Sequence, residues 1–266
     1  FVKQDVDEPI VCAHRGDNVH APENTLEAFG LAASEGLSWI ELDVHQTSDG
    51  VVVCNHDSDI SGTTGVNYKI HEHTYDELKD IEYLESLPGN YKGVTMPTLK
   101  QALQLAKDND MFVQVEIKGH KDDINFEENI LQAINETGMH DRVMIIAQDY
   151  NRLIRIKELD PTITKGYCMV IALGQLEDID YTDNITIEEK NVTAELVHRL
   201  HSQGIMVFCW TVDLDETVQY LVSCDVDVIG TDNPMLIADT LLECDYSGGL
   251  SRAFYLFMHT VVDMMK

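Results

Sequence analysis

Two pairs of charged residues are spaced for shared chemistry. Glu41 and Asp43 stand two apart within the apolar run at 39–45, and Glu116 and Lys118 stand two apart within the run at 112–118. Side chains alternate across a strand, so each charged pair shares one face. Ile40, Leu42 and Val44 fall on the other face of the first run, and Val113, Val115 and Ile117 on the other face of the second. Three converging carboxylates repel one another and resist ionising together. A divalent cation relieves that repulsion, and all-oxygen ligands favour a hard ion, Mg2+ or Ca2+, over zinc. The competing reading pairs these carboxylates with Arg15 and Lys118 as salt bridges. For a single pair that reading is preferred, and two such pairs at equivalent strand ends reverse the preference.

His14 and Arg15 end the first apolar run, and His56 follows a short run at 51–55. A lone histidine is usually a packed or surface residue. Two that bracket one carboxylate cluster fit an acid–base pair, because imidazole titrates near neutral pH. Arg15 and Lys118 suit phosphate oxygens, Arg as a planar fork and Lys as a point charge. Gly16 permits a tight exit from the strand.

The elements that must position these residues follow from hydrophobic periodicity. Apolar runs at 10–13, 39–45, 112–118, 143–148, 164–170, 184–188, 206–211 and 226–231 read as eight strands. Between most of them apolar residues recur at helical spacing: Leu26, Phe29 and Ala33; Leu99, Ala102, Leu103 and Ala106; Leu196, Val197 and Leu200. Asn24 with Glu27 reads as a capping box, and Pro97 as a first-turn proline of the next helix. Eight strands separated by helices predict an α/β fold, a TIM (β/α)8 barrel, with a doubly wound sheet as the alternative. In a barrel the apolar faces meet the helices, and the charged pairs point inward at the C-terminal strand ends, where barrel enzymes keep their active sites. The barrel domain is assigned to 1–249, with a small insertion after the second strand, about 57–95, lying over the barrel mouth. Residues 250–266 carry an apolar stripe, Leu250, Phe254, Phe257, Met258, Val261, Val262 and Met265, and read as a C-terminal amphipathic helix.

Composition narrows the partners. The 266 residues carry 18 basic and 47 acidic side chains, a formal charge of -29. Nucleic acid needs a basic, phosphate-neutralising surface, so it is excluded as a partner, while a small anion held by local cations is not. The six cysteines show no metal-ligand spacing and no disulfide framework. No apolar run is long enough to span a bilayer. The chain begins at Phe1 with no signal-type segment, which fits a trimmed or processed product and leaves cytoplasmic and membrane-associated placements both open.

Together, His14-Arg15-Gly16, Pro22-Glu23-Asn24-Thr25, Glu41-Leu42-Asp43-Val44, Thr47-Ser48-Asp49-Gly50 and His56-Asp57 resemble the glycerophosphodiester phosphodiesterase family. Met96-Pro97-Thr98-Leu99, Glu116-Ile117-Lys118, Trp210-Thr211-Val212-Asp213 and Thr231-Asp232-Asn233-Pro234 continue the likeness in order, from about Ile10 to Pro234. The resemblance implies a TIM barrel that hydrolyses glycerophosphodiesters to glycerol 3-phosphate and an alcohol. It implies Glu41, Asp43 and Glu116 as ligands of a divalent metal, His14 and His56 as general base and acid in an order left open, and Arg15 and Lys118 as phosphate-binding residues. It also implies Glu23 as a supporting residue, against a plain helix-start acid, and Trp210 beside the glycerol moiety, against a core tryptophan. The nucleophile is either water or the substrate's own glycerol hydroxyl. The Gly65-Val66-Asn67 run and Ile187-Glu188 most resemble the subgroup whose catalytic domain follows a membrane-embedded region, so membrane association through such a missing region enters as an expectation, as does an oligomer. The chain departs from the pattern at His45, where many relatives carry glutamine, and at Gln148-Asp149, where a serine often follows the glutamine. Alternatives are a lysophospholipase D-type activity on larger lipids, a non-catalytic phosphodiester-binding barrel, and a docking module built on the C-terminal stripe.

Overall fold

The computed structural model describes residues 8–121, 123–169 and 182–244. The expected helix at 250–266 lies outside them. Eight parallel strands close on themselves: β1 (Ile10–Ala13), β2 (Trp39–Gln46), β4 (Phe112–Ile117), β5 (Val143–Ala147), β6 (Thr164–Met169), β7 (Asn184–Glu188), β8 (Met206–Trp210) and β9 (Val228–Thr231). Each pairs with the next, and β1 pairs with both β2 and β9, so no edge of the parallel set is left open. This is the TIM barrel that the eight apolar runs predict. The short run after β2 forms β3 (Val52–Cys54), an antiparallel return that pairs His45 with Val53.

The outward faces of the strands meet the helices as alternation requires. Ile40, Leu42 and Val44 of β2 and Val113, Val115 and Ile117 of β4 are buried in one apolar layer. Helix α1 (Leu26–Ser34) brings Phe29 and Ala32 to that layer, and α4 (Leu99–Asp108) brings Leu99, Ala102, Leu103 and Ala106. Across the barrel, α7 (Ala194–Ser202) buries Leu196, Val197 and Leu200 in a second layer. Full burial of each of these Leu, Ile, Val or Phe side chains contributes roughly 1.5–3 kcal/mol.

Two helix starts differ from the sequence reading. Thr25, not Asn24, caps α1, its Oγ1 accepting from the Ala28 N–H at 3.2 Å. Asn24 has a left-handed backbone, φ 56°, and its side chain turns into the barrel. Thr98 caps α4 in a capping box with Gln101, so Pro97 precedes the cap and is not in the first turn. Between β3 and α4 the chain makes two one-turn helices, α2 (Ser61–Thr64) and α3 (Tyr75–Leu78), around a small apolar cluster of Ile60, Ile70, Leu78, Tyr83, Val94 and Met96 with Val53 of β3. The six cysteines are free thiols.

Candidate active site

The inward face of the barrel changes character along its axis. At the N-terminal strand ends Trp39, Phe112 and Phe208 stack into an apolar plug with Met144 and Val228. Two residues further along the same faces stand Glu41 on β2, Gln114 on β4 and Trp210 on β8, and then Asp43 and Glu116. Parallel register sets Glu41 opposite Gln114 and Asp43 opposite Glu116. The strand period of two therefore converts one sequence pattern into a ring of polar groups above a dry floor.

Glu41, Asp43 and Glu116 each offer an oxygen within 4.8 Å of the others, and all three side chains are buried. The pairing with cations is present too. Lys118 Nζ lies 2.9 Å from Glu116 Oε1 and 3.3 Å from Asp43 Oδ1, and Arg15 Nε lies 3.3 Å from Asp43 Oδ2. These pairs do not use up the carboxylates, because the buried Glu41 Oε1 accepts no hydrogen bond and neither Lys118 nor Arg15 pairs with it. Burial pushes the Glu41 carboxyl up to about 8, with neighbouring Asp43 adding to the push. Burial raises Glu116 as well, against the pull of Lys118. Burial also disfavours the Asp43 charge, but Lys118, Arg15 and His56 together outweigh it and hold its pKa below the ordinary value. Buried, all-oxygen donors whose charges resist coexisting, with Glu41 Oε1 left unpartnered, fit a hard divalent cation.

Asn24 adds a support that the sequence reading missed. Its Nδ2 donates to Asp43 Oδ2 at 2.9 Å while its Oδ1 accepts from the Asp43 N–H at 3.0 Å. That two-point clasp fixes the carboxylate's rotamer, and the left-handed turn at Arg15 and Asn24 aims both side chains at it.

His14 ends β1, where its N–H donates to the Thr231 carbonyl of β9 at 2.9 Å. Its Nδ1 lies 2.6 Å from Asp232 Oδ1, and Nε2 faces Glu41 at 3.9 Å. Asn18 Nδ2 donates to both the His14 carbonyl and Asp232 Oδ1. Burial opposes charge on His14, but the Asp232 hydrogen bond and the Glu41 charge overcome it and raise its pKa. Asp232 is the second residue the sequence reading passed over. It stands in the quoted Thr231-Asp232-Asn233-Pro234 run, 218 positions from His14, and only barrel closure joins them.

Arg15 is gripped from two sides. Its Nη1 donates to both Glu23 oxygens, at 3.0 and 2.9 Å, and its backbone N–H donates to Glu41 Oε2 at 3.1 Å. Glu23 thus holds Arg15 at the carboxylate ring. Gly16 follows with φ +81°, and a Cβ there would stand 2.7 Å from the Ala28 backbone, so the loop packs directly on α1. Gln148 Nε2 donates to Glu116 Oε1 at 3.2 Å from the end of β5.

Trp210 borders the cleft with its ring centroid 6.3 Å from that of His14, and its indole Nε1 is buried without a hydrogen-bond partner. The cleft is open to solvent and is lined by His14, Glu41, Gln114, Glu116 and Trp210 above Phe208. His56 stands further out on the loop beyond β3, 35% exposed, with its Nδ1 2.9 Å from Asp57 Oδ1. It acts on the ring through its charge, which is one of the influences holding Asp43 down. His45 continues the inward face of β2 past Asp43 and donates from Nε2 to the His56 carbonyl at 3.0 Å. The structure therefore gathers Glu41, Asp43, Glu116, His14, Arg15, Lys118 and Glu23 into one site, with Trp210 on its wall and His56 at its mouth.

Residues 14–236 match the sequence pattern of the Glycerophosphoryl diester phosphodiesterase family. A glycerophosphodiester phosphodiesterase of Caldanaerobacter subterraneus subsp. tengcongensis is 31% identical over 246 residues, covering 90% of this chain and 99% of that protein. One of Bacillus altitudinis is 30% identical over 233 residues, covering 84% and 94%. Among solved structures, an Oleispira antarctica phosphodiesterase in complex with the product sn-glycerol-3-phosphate superposes with a TM-score of 0.77 at 28% identity, covering 88% of this chain and 97% of that one.

Proposed function

The chain belongs to the glycerophosphodiester phosphodiesterase family, and from that premise we propose that it hydrolyses glycerophosphodiesters to glycerol 3-phosphate and an alcohol. The observation that carries this reading is the buried ring of Glu41, Asp43 and Glu116, with Glu41 Oε1 unpartnered, set between His14 and the Arg15–Lys118 cations. Glu41, Asp43 and Glu116 would hold a divalent ion, Mg2+ or Ca2+, which would supply positive charge to the phosphodiester oxygens.

The chain's own residues do the rest. Arg15 and Lys118 hold the phosphate oxygens, Arg15 kept in place by Glu23. They also offset a protein of net charge -29, which otherwise repels an anionic substrate. Asp232 bonds His14 Nδ1, so Nε2 is the nitrogen that faces the cleft and exchanges the proton. His14 and His56 divide the proton traffic: one takes a proton from the nucleophile, and the other gives one to the departing alkoxide as its P–O bond breaks. Trp210 walls the glycerol end of the cleft.

The test is product analysis by phosphorus NMR on a panel of glycerophosphocholine, glycerophosphoethanolamine, glycerophosphoglycerol and lysophosphatidylcholine. Release of glycerol 3-phosphate from the water-soluble diesters is expected. Turnover of the lysolipid alone points instead to a lysophospholipase D-type activity. Binding without turnover of any member points to a non-catalytic barrel and contradicts the proposal.

A further inference from the structure

The loop that carries His56 leaves the barrel at an antiparallel edge, and its attachment to the ring is specific. The Asn55 N–H donates to the Asp43 carbonyl at 3.1 Å, so this loop begins on a residue of the carboxylate ring. Asn55 Nδ2 then bonds the Asp57 carbonyl at 2.7 Å and closes the turn around His56. One further bond crosses back to the barrel, from His45 Nε2 to the His56 carbonyl at 3.0 Å. His45 lies on the inward face of β2, two residues beyond Asp43, and is 6% exposed, whereas the His56 side chain is 35% exposed. A buried donor therefore adds a direct tie from the barrel to the backbone of a half-exposed residue. A backbone carbonyl is an acceptor whatever side chain it precedes, so this bond places the His56 Cα without engaging its imidazole.

We infer that His45 is a positioning residue which, through its hydrogen bond to the His56 carbonyl, holds His56 in register with the carboxylate ring for proton transfer. The inference rests on the acid–base reading of His56 given above. Proton transfer in a phosphodiester cleavage demands placement within a fraction of an ångström, and a misplacement of about 1 Å costs on the order of a hundredfold. The burial of His45 exceeds what a surface tether needs, and its face leads toward the ring, not toward the helices.

The test compares the full chain carrying His45→Leu, His45→Gln, His56→Ala and the double variant His45→Leu/His56→Ala, using glycerophosphocholine and saturating Mg2+. Leucine fills the site without a donor, and glutamine restores an N–H at similar reach. His45→Leu is expected to lower kcat by about tenfold to a hundredfold with KM within about twofold. His45→Gln is expected to recover most of that loss, and the double variant to be no slower than His56→Ala alone. The inference is overturned if His45→Leu keeps the parent rate, if glutamine fails to rescue it, or if the two losses multiply in the double variant. A His45→Leu loss that accompanies weaker Mg2+ activation or a lower Tm places its effect in the strand and also overturns it. Failure of the underlying reading is separately visible, since His56→Ala then retains full activity by itself.

Discussion

The two histidines of the site are held by opposite means. His14 closes a barrel strand, is nearly buried, and is fastened through its ring to Asp232, which Asn18 fastens in turn. His56 lies on a loop beyond an edge strand; among the described residues its ring bonds the exposed Asp57 alone, while its backbone is tied by His45. The barrel thus fixes one of the two proposed proton-transfer groups by its side chain and the other by its main chain. A side chain fixed through Nδ1 has its tautomer and basicity set.

Predictions can break this contrast. The largest effect should spare neither histidine. Asp43→Asn removes one carboxylate of the proposed metal ring, the partner of Lys118 and Arg15, while leaving the main-chain bonds to Asn24 and Asn55 in place, and a loss of about three orders of magnitude in kcat is expected, measured at saturating metal. His14→Ala and His56→Ala should each lose on the order of a hundredfold or more, and if both single variants kept full activity the acid–base assignment would be wrong.

The neighbours of the two rings then separate the two modes of support. Asp232→Asn should lower kcat by roughly tenfold to a hundredfold, since amide in place of carboxylate disturbs the His14 tautomer. The sign of its pH effect is fixed: Asp232 contributes to raising the His14 pKa, so its loss moves the His14 limb of the pH–rate profile to lower pH. Asp57→Asn should change kcat by no more than about twofold, because an exposed ion pair contributes little. Equal losses in the two variants would erase the distinction. The smallest effect on rate is expected from Gly16→Ala, which acts on stability. Its positive φ and the clash with Ala28 should cost about 1–3 kcal/mol, read from urea unfolding.

What was legible in the sequence was whatever repeats locally. The barrel follows from eight apolar runs, and the inward pointing of Glu41, Asp43 and Glu116 follows from a period of two. The helix faces of α4 and α7 bury the residues that their spacing picks out. What was not legible depended on closure or on a single turn. Asn24 reads as a helix cap by type, yet Thr25 takes the cap and frees Asn24 to hold Asp43, a choice made by the left-handed turn. Asp232 sits next to His14 only because β9 pairs with β1, a contact that no local pattern announces. The anchor at His45 was half visible: alternation carries it toward the site, but its acceptor is a main-chain atom across a hairpin.

The most direct test of the metal-ring account is hydrolysis of glycerophosphocholine after thorough chelation, followed by readdition of Mg2+, Ca2+ or Mn2+ in separate titrations. The account predicts that chelation abolishes release of glycerol 3-phosphate and that at least one of these ions restores it. Activity that survives complete chelation would contradict it.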